Sequence, residues 1–207
     1  MKLETIYNEL KEVVVDEDCF NLQKYLGLME KLEDAIRLES AYKTTSKTRV
    51  NAIKRVASQN NVRPVLTGYG IYGDYKCVTD SYHLIAIKEE NMPLKLVTTD
   101  SELANKVGKE NCIFGDYPNM EMFLKYDKSN EIPMVDMDDL TAFIKLNKKE
   151  KRPLYQIGEY KYNANYVKNV IDVLGKECKV YFQGEYRPLF FENNDGEIGL
   201  VLPVRTY

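Results

Sequence analysis

Residues 161–207 constrain the chain more than any other stretch, because the sequence there marks both ends of a helix and then supplies the sheet the helix needs. Asn163 is a favoured N-cap, since its side-chain oxygen can accept from the exposed N–H groups of a first turn. Gly175 can take the left-handed conformation that closes the last turn. Between them Val167, Val170, Ile171 and Leu174 recur at three- and four-residue spacing, so one side of the predicted helix, 163–174, is apolar and must face a sheet. An extended stretch, 156–162, precedes the helix, and three strands separated by turn residues follow it. The pattern predicts a β-α-β-β-β unit.

Upstream, residues 3–14 and 20–40 read as two helices forming an N-terminal hairpin. In the second, Leu22, Tyr25, Leu26, Met29, Leu32 and Ile36 make an apolar stripe opposite Glu30, Lys31, Glu33, Asp34 and Arg37. The stripe serves either packing on the rest of the chain or an oligomerisation or partner-binding arm. From Ser46 onward Lys47, Arg49, Lys54 and Arg55 surround Val50, Ile53, Val56 and Ala57, which predicts an amphipathic helix with a basic polar side. That side is either a solvated face or a surface that neutralises phosphates without reading bases.

Residues 64–87 read as strands broken at Gly68, Gly70 and Gly73-Asp74, the last a hairpin signal, and 93–98 fit one more strand. Thr99 with Glu102 forms a capping box for a short helix through Val107, which Gly108 ends. Residues 111–131 are rich in loop formers and read as a connection. A further helix is predicted over 136–146, with Asp136, Asp138 and Asp139 at its N-terminus and Lys145, Lys148 and Lys149 near its C-terminus, as the helix dipole favours. Residues 148–152 then form a basic turn. Helix followed by strands occurs twice, at 48–58 and at 163–174, a weak internal repeat.

At 207 residues the chain can hold one substantial core or two small ones. Lys and Arg number 29 against 32 Asp and Glu, a net charge of -3, so no global field marks a nucleic-acid binder and any such contact has to come from a local patch. Cys19, Cys77, Cys112 and Cys178 are widely spaced with no Cys-x-x-Cys pair, and neither a signal peptide nor an apolar run of about 20 residues is present. These features predict a soluble, cytoplasmic protein with reduced thiols and no membrane partner. The single histidine, His83, excludes a two-histidine metal site, and no Gly-x-x-x-x-Gly-Lys phosphate loop is present. Helix-dipole complementarity accounts for Asp136, Asp138 and Asp139 without Mg²⁺. The expectation is a protein that is not an enzyme, with no metal and no cofactor.

Residues 163–207 end in Leu202-Pro203-Val204-Arg205-Thr206-Tyr207, residues 63–87 carry Thr79-Asp80-Ser81-Tyr82-His83-Leu84-Ile85, and Asp116-Tyr117-Pro118 lies between them. These resemble, respectively, the closing strand, the Thr-Asp-Gly-His-Arg-Leu-Ala motif and an interdomain link of bacterial DNA polymerase III β subunits, the DNA sliding clamps. Clamps of that type need roughly three domains of about a hundred residues or more each, so the resemblance is to a shortened or divergent relative. It implies an α+β, DNA-clamp-like fold, with short helices packed on antiparallel sheets behind the N-terminal helical hairpin. The expected organisation is the hairpin at 1–45, a first clamp-like half at 46–115 and an abbreviated second half at 116–207.

The resemblance also implies a site. In the family a short partner peptide with Leu and Phe anchors lies in an apolar groove between that motif and the closing strand. Carried over, the groove residues are Thr79, Ser81, His83 and Leu84 on one side and Leu200, Leu202, Pro203 and Val204 on the other. Three positions depart from the motif: Ser81 replaces Gly, Tyr82 replaces His and His83 replaces Arg, and a bulky Tyr82 is expected to encroach on the groove. Helices at equivalent places in the family line a ring and face DNA, which makes Lys47, Arg49, Lys54, Arg55 and Lys168 the expected DNA-binding residues. The implied function is that of a non-enzymatic, processivity-clamp-like replication factor. Its partners would be replication proteins carrying a clamp-binding peptide and double-stranded DNA held without sequence specificity by a homo-oligomer. The alternative is a clamp-derived decoy or regulator that forms no ring and touches no DNA.

Overall fold

The computed structural model describes residues 22–57 and 62–204, together with Ile6, Glu9 and Leu10. Apart from those three residues, the predicted helix 3–14 lies outside the described residues. The second predicted helix is present and longer than expected, as α1 (Leu22–Thr44). Ser46 then caps α2 (Lys47–Val56) by accepting from the Arg49 N–H, and α2 buries Val50, Ala52, Ile53 and Val56. No helix among the described residues is long and apolar enough to cross a membrane.

The strands β1 (Gly70–Tyr72), β2 (Tyr75–Thr79) and β3 (His83–Ile87) form a meander. Next come β4 (Leu96–Thr98), α3 (Ser101–Val107) and β5 (Cys112–Phe114), in which β4 and β5 pair in parallel as a separate two-stranded sheet. The short β6 (Glu131–Ile132) and α4 (Met137–Leu146) lead to a hairpin of β7 (Leu154–Ile157) and β8 (Tyr160–Asn163). The chain then runs through α5 (Ala164–Leu174), β9 (Lys179–Phe182), β10 (Leu189–Glu192) and β11 (Ile198–Val201). The main sheet is antiparallel, with seven strands in the order β1-β2-β3-β11-β10-β9-β6.

The residues of 46–115 and of 116–207 therefore build one sheet, joined where β3 meets β11 in the register Leu84 to Leu200 and Ala86 to Ile198. All five residues of β3 are buried, because both faces of the sheet are covered. Ile85 and Ile87 join α2 and α5 residues such as Ile53, Val167 and Ile171 in the larger core. Leu84 and Ala86 point the other way and share a second core with Met120, Tyr181, Phe190 and Leu200, flanked by Tyr117, Leu124 and Tyr126. Strand alternation thus puts a helix layer on one face and the 117–126 segment on the other. Gly199 permits the close seating of α5, since a Cβ there would run into the Val170 and Leu174 side chains.

Local signals explain most boundaries. Asn163 accepts from the Asn165 N–H at 3.0 Å, and Gly175 ends the helix at φ +95°, as the sequence predicts. Asp136 caps α4 by accepting from the Asp138 and Asp139 N–H groups. Three expectations need correction. Asp100, not Thr99, caps α3, because its carboxylate reaches both the Glu102 and Leu103 N–H groups. Residues 156–162 are not one strand but parts of two, turned at Gly158 with φ +61°. Residues 111–131 are more than a connection, since they supply β5 and the cover of the outer face.

An ion network ties the helix layer to the sheet. The Arg49 guanidinium on α2 donates to Glu89 Oε2 at 3.0 Å, to Glu197 Oε1 at 2.7 Å and to the Val173 carbonyl near the end of α5. Glu197, buried in the turn between β10 and β11, also accepts from the Lys88 N–H at 2.9 Å and the Asn193 amide at 2.8 Å. Burial pushes the Glu197 carboxyl up, but these donors and the Arg49 charge outweigh it, and its pKa falls below the ordinary 4.5. A depressed carboxylate pKa contributes stability that is complete above the unfolded value and is lost as pH falls through the folded value. Urea midpoints are expected to hold between about pH 7 and 5 and to drop at lower pH, with a shallower drop in Glu197→Gln. Arg49→Ala, which strands a buried carboxylate, is expected to cost about 3–5 kcal/mol at neutral pH; a midpoint equal to the parent's would refute the network's role.

Candidate peptide-docking groove

The β3–β11 register sets the floor of a groove by placing Leu84 beside Leu200. Beyond β11 the chain stays close to β3, with the Leu202 N–H donating to the Tyr82 carbonyl at 2.9 Å. The turn between β2 and β3 is held by its own side chains. Thr79 Oγ1 donates to the His83 carbonyl at 2.7 Å and accepts from the Ser81 N–H at 3.0 Å. Asp80 Oδ1 accepts from the Tyr82 N–H at 2.8 Å and the His83 N–H at 3.0 Å, and lies 2.8 Å from His83 Nδ1. Ser81 sits at φ +80°, a conformation that suits the glycine of the sliding-clamp motif better than serine.

Burial raises the Asp80 pKa, but the His83 ring and the two backbone donors more than reverse this, so the carboxyl titrates below its usual value. The His83 ring is fully buried and stacks on Tyr166 of α5, with 4.2 Å between centroids. It therefore braces the turn from the helix side. Burial and the Asp80 charge push the Tyr166 phenol up to about 12. Across the sheet, Tyr117 accepts the Thr79 N–H at 3.0 Å and carries Pro118 and Met120 to the opposite wall.

The result is an open cavity of about 210 Å³. Of the eight groove residues expected from the sequence, Thr79, Ser81, His83, Leu84, Leu200 and Leu202 line it together. Pro203 and Val204 do not. Pro203 bridges to Tyr162, and the Val204 N–H donates to the Lys161 carbonyl, so the chain has left the sheet for β8 by that point. Tyr82 does not fill the groove. It is 51% exposed and leans towards Tyr166, at 6.2 Å between centroids, leaving the cavity open beside it. Sequence reasoning missed Arg63, Pro118, Met120 and Phe123 as lining residues. The Asp116-Tyr117-Pro118 match was the available signal for the second wall; the apolar Met120 and Phe123 among loop formers were another.

The five expected DNA-binding residues do not form one free basic face. Arg49 is spent on the network described above, because its position on α2 aims it at Glu89 and Glu197. Arg55 pairs with Asp172 at 2.9 Å and donates to Asn169, and Lys168 pairs with the same Asp172 at 2.7 Å. Lys47 and Lys54 are exposed, with the Lys47 ammonium over the Tyr42 ring. Among the described residues no cluster of three or more His, Cys, Asp or Glu side chains could hold a metal.

This arrangement of α2, α5 and an antiparallel sheet is the fold of the bacterial sliding clamps. Solved structures that share it include the DNA polymerase β subunit of Streptococcus pyogenes (TM-score 0.52, 14% identity, 77% of this chain and 63% of that one). The DNA polymerase III β chain of Streptococcus pneumoniae gives 0.52 at 15% identity over 77% of this chain and 62% of that one. The β sliding clamp of C. crescentus gives 0.52 at 13% over 77% and 63%. The chain thus spans less than two thirds of the length of the clamps it matches. No family model and no curated protein matches the sequence.

Removing the Asp80 carboxylate leaves two backbone donors and the His83 ring without their acceptor. Asp80→Ala is expected to lower stability by about 1–3 kcal/mol in urea titration, and Asp80→Asn, which keeps an oxygen in place, by clearly less. Equal losses in the two variants would show that the carboxamide oxygen cannot serve, and no loss in either would remove the turn from the account.

Proposed function

We propose that the protein is a clamp-derived docking protein of DNA replication, whose groove takes a short apolar segment of replication proteins. The observation that carries this reading is the convergence of Thr79, Ser81 and Leu84 with Leu200 and Leu202, over a hundred residues apart in sequence, on one open apolar cavity. Such a groove suits one or two large apolar anchors, each worth roughly 1.5–3 kcal/mol when buried. The exposed Arg63 gives its wall a positive charge. A labelled Gln-Leu-x-Leu-Phe peptide is expected to bind saturably, with Leu84→Ala or Leu202→Ala weakening it by about tenfold or more. Equal binding by parent and variants would place the peptide elsewhere and defeat the reading.

A ring around DNA, built as a homo-oligomer, is the fuller version of the same reading. The pairing of Arg49, Arg55 and Lys168 with carboxylates favours instead the docking protein that forms no ring, because on the α2 and α5 surface it neutralises three of the five cations that a ring would turn towards DNA. Light-scattering mass, alone and with circular DNA, separates the two. A one-chain mass without DNA, and no closed oligomer retained on circular DNA, is the expected result; a closed oligomer retained on circular DNA would restore the ring.

A further inference from the structure

The cations that α2 and α5 do not offer are found elsewhere. Residues 145–152 read Lys-Leu-Asn-Lys-Lys-Glu-Lys-Arg, five positive side chains and one negative one in eight positions of a chain whose net charge is -3. All five, Lys145, Lys148, Lys149, Lys151 and Arg152, are exposed. None of them forms an ion pair among the described residues, whereas Arg49, Arg55 and Lys168 all do. The C-terminal dipole of α4 accounts for Lys145 and its nearest neighbours, but Lys151 and Arg152 lie beyond the last turn of that helix. A tight turn, with the Glu150 N–H donating to the Asn147 carbonyl, gathers these charges at the end of α4, which packs beside α5 in the helix layer.

Beside this cluster lies an aromatic shelf. The Arg152 guanidinium sits 5.7 Å from the centre of the half-exposed Tyr82 ring, which in turn stacks against Tyr166. Concentrated, unpaired cations next to an exposed ring are the chemistry that holds a nucleic-acid backbone, with the phosphates neutralised and a base face offered a surface.

We propose that the turn 145–152 is a nucleic-acid backbone site, distinct from the α2 and α5 surface and adjoining the docking groove through Arg152 and Tyr82. The ligand chemistry is a run of phosphodiesters, supplied by either a single strand or a duplex. Fluorescence anisotropy with a labelled oligothymidylate and with a labelled duplex, each titrated between roughly 50 and 200 mM salt, reads the site directly. The parent is expected to bind at least one of them with a salt slope corresponding to about three to five neutralised phosphates. The Lys148→Gln, Lys149→Gln, Lys151→Gln triple variant is expected to lose about tenfold or more in affinity at the lower salt and most of that slope. Lys47→Gln with Lys54→Gln should change little.

A thermal melt matched to the parent's, together with unchanged peptide affinity in the groove, keeps the triple variant's loss assigned to the turn. Whether the groove takes peptide is read separately, so that reading and this one can fail independently. The proposal is overturned if the parent binds neither oligonucleotide, or if the triple variant binds as the parent does. It is equally overturned if the parent sediments with phosphatidylglycerol vesicles while ignoring both oligonucleotides, which would make the turn, with its 86% exposed Leu146, a membrane contact.

Discussion

The pairing of β3 with β11 is the interaction on which the rest depends. It joins two stretches separated by more than a hundred residues into the middle of one sheet, and it places Leu84 and Leu200 side by side on the outer face while Ile85 turns to the helices. Because side chains alternate along a strand, a slip of one residue would swap the helix-facing core for the groove floor. The groove is therefore not an addition to the fold. It is the outer face of the same register that builds the core, left open where the 117–126 cover stops short of the β2–β3 turn.

Charge is distributed with equal consequence. Arg49 sits where the family resemblance implies contact with DNA, yet it joins α2 to the end of β3 and the β10–β11 turn through the largely buried carboxylates of Glu89 and Glu197, and to α5 through the Val173 carbonyl. A guanidinium with its donors already engaged on the inside has little left for an outside ligand. Arg55 and Lys168 share Asp172 and are half-neutralised in the same way. The helix layer therefore gains cohesion from cations that could otherwise have faced a polyanion, and the unpaired positive charge is displaced to the end of α4.

Much of this was legible in the sequence. Asn163, Gly175 and the spacing of Val167, Val170, Ile171 and Leu174 define α5 because capping and periodicity are local properties. The resemblance of 79–85 and 163–207 to sliding clamps points to six of the lining residues. What escaped was non-local. Nothing near Arg49 in the sequence signals Glu89 or Glu197, so its inward role could not be separated from that of Lys47 or Lys54. Residues 111–131 read as a connection because Gly115, Pro118 and Asn119 break any period, although Tyr117 and Met120 are held by contacts made across the sheet. The resemblance groups Pro203 and Val204 with Leu202, and nothing in the run Leu202-Pro203-Val204 shows that the chain changes partners there.

The position of β11 also sets an order in time. The strand that completes the middle of the sheet is among the last parts of residues 22–204 to be synthesised, so β1, β2 and β3 emerge well before their partner exists. During that interval β3, apolar from Leu84 to Ile87, presents an unpaired edge, and the groove floor has only one of its two leucines. Unpaired apolar edges recruit strands from other chains. Translation through residues 198–201 thus separates an association-prone meander from a sheet closed at its centre, and the nascent chain is most in need of a chaperone before that point.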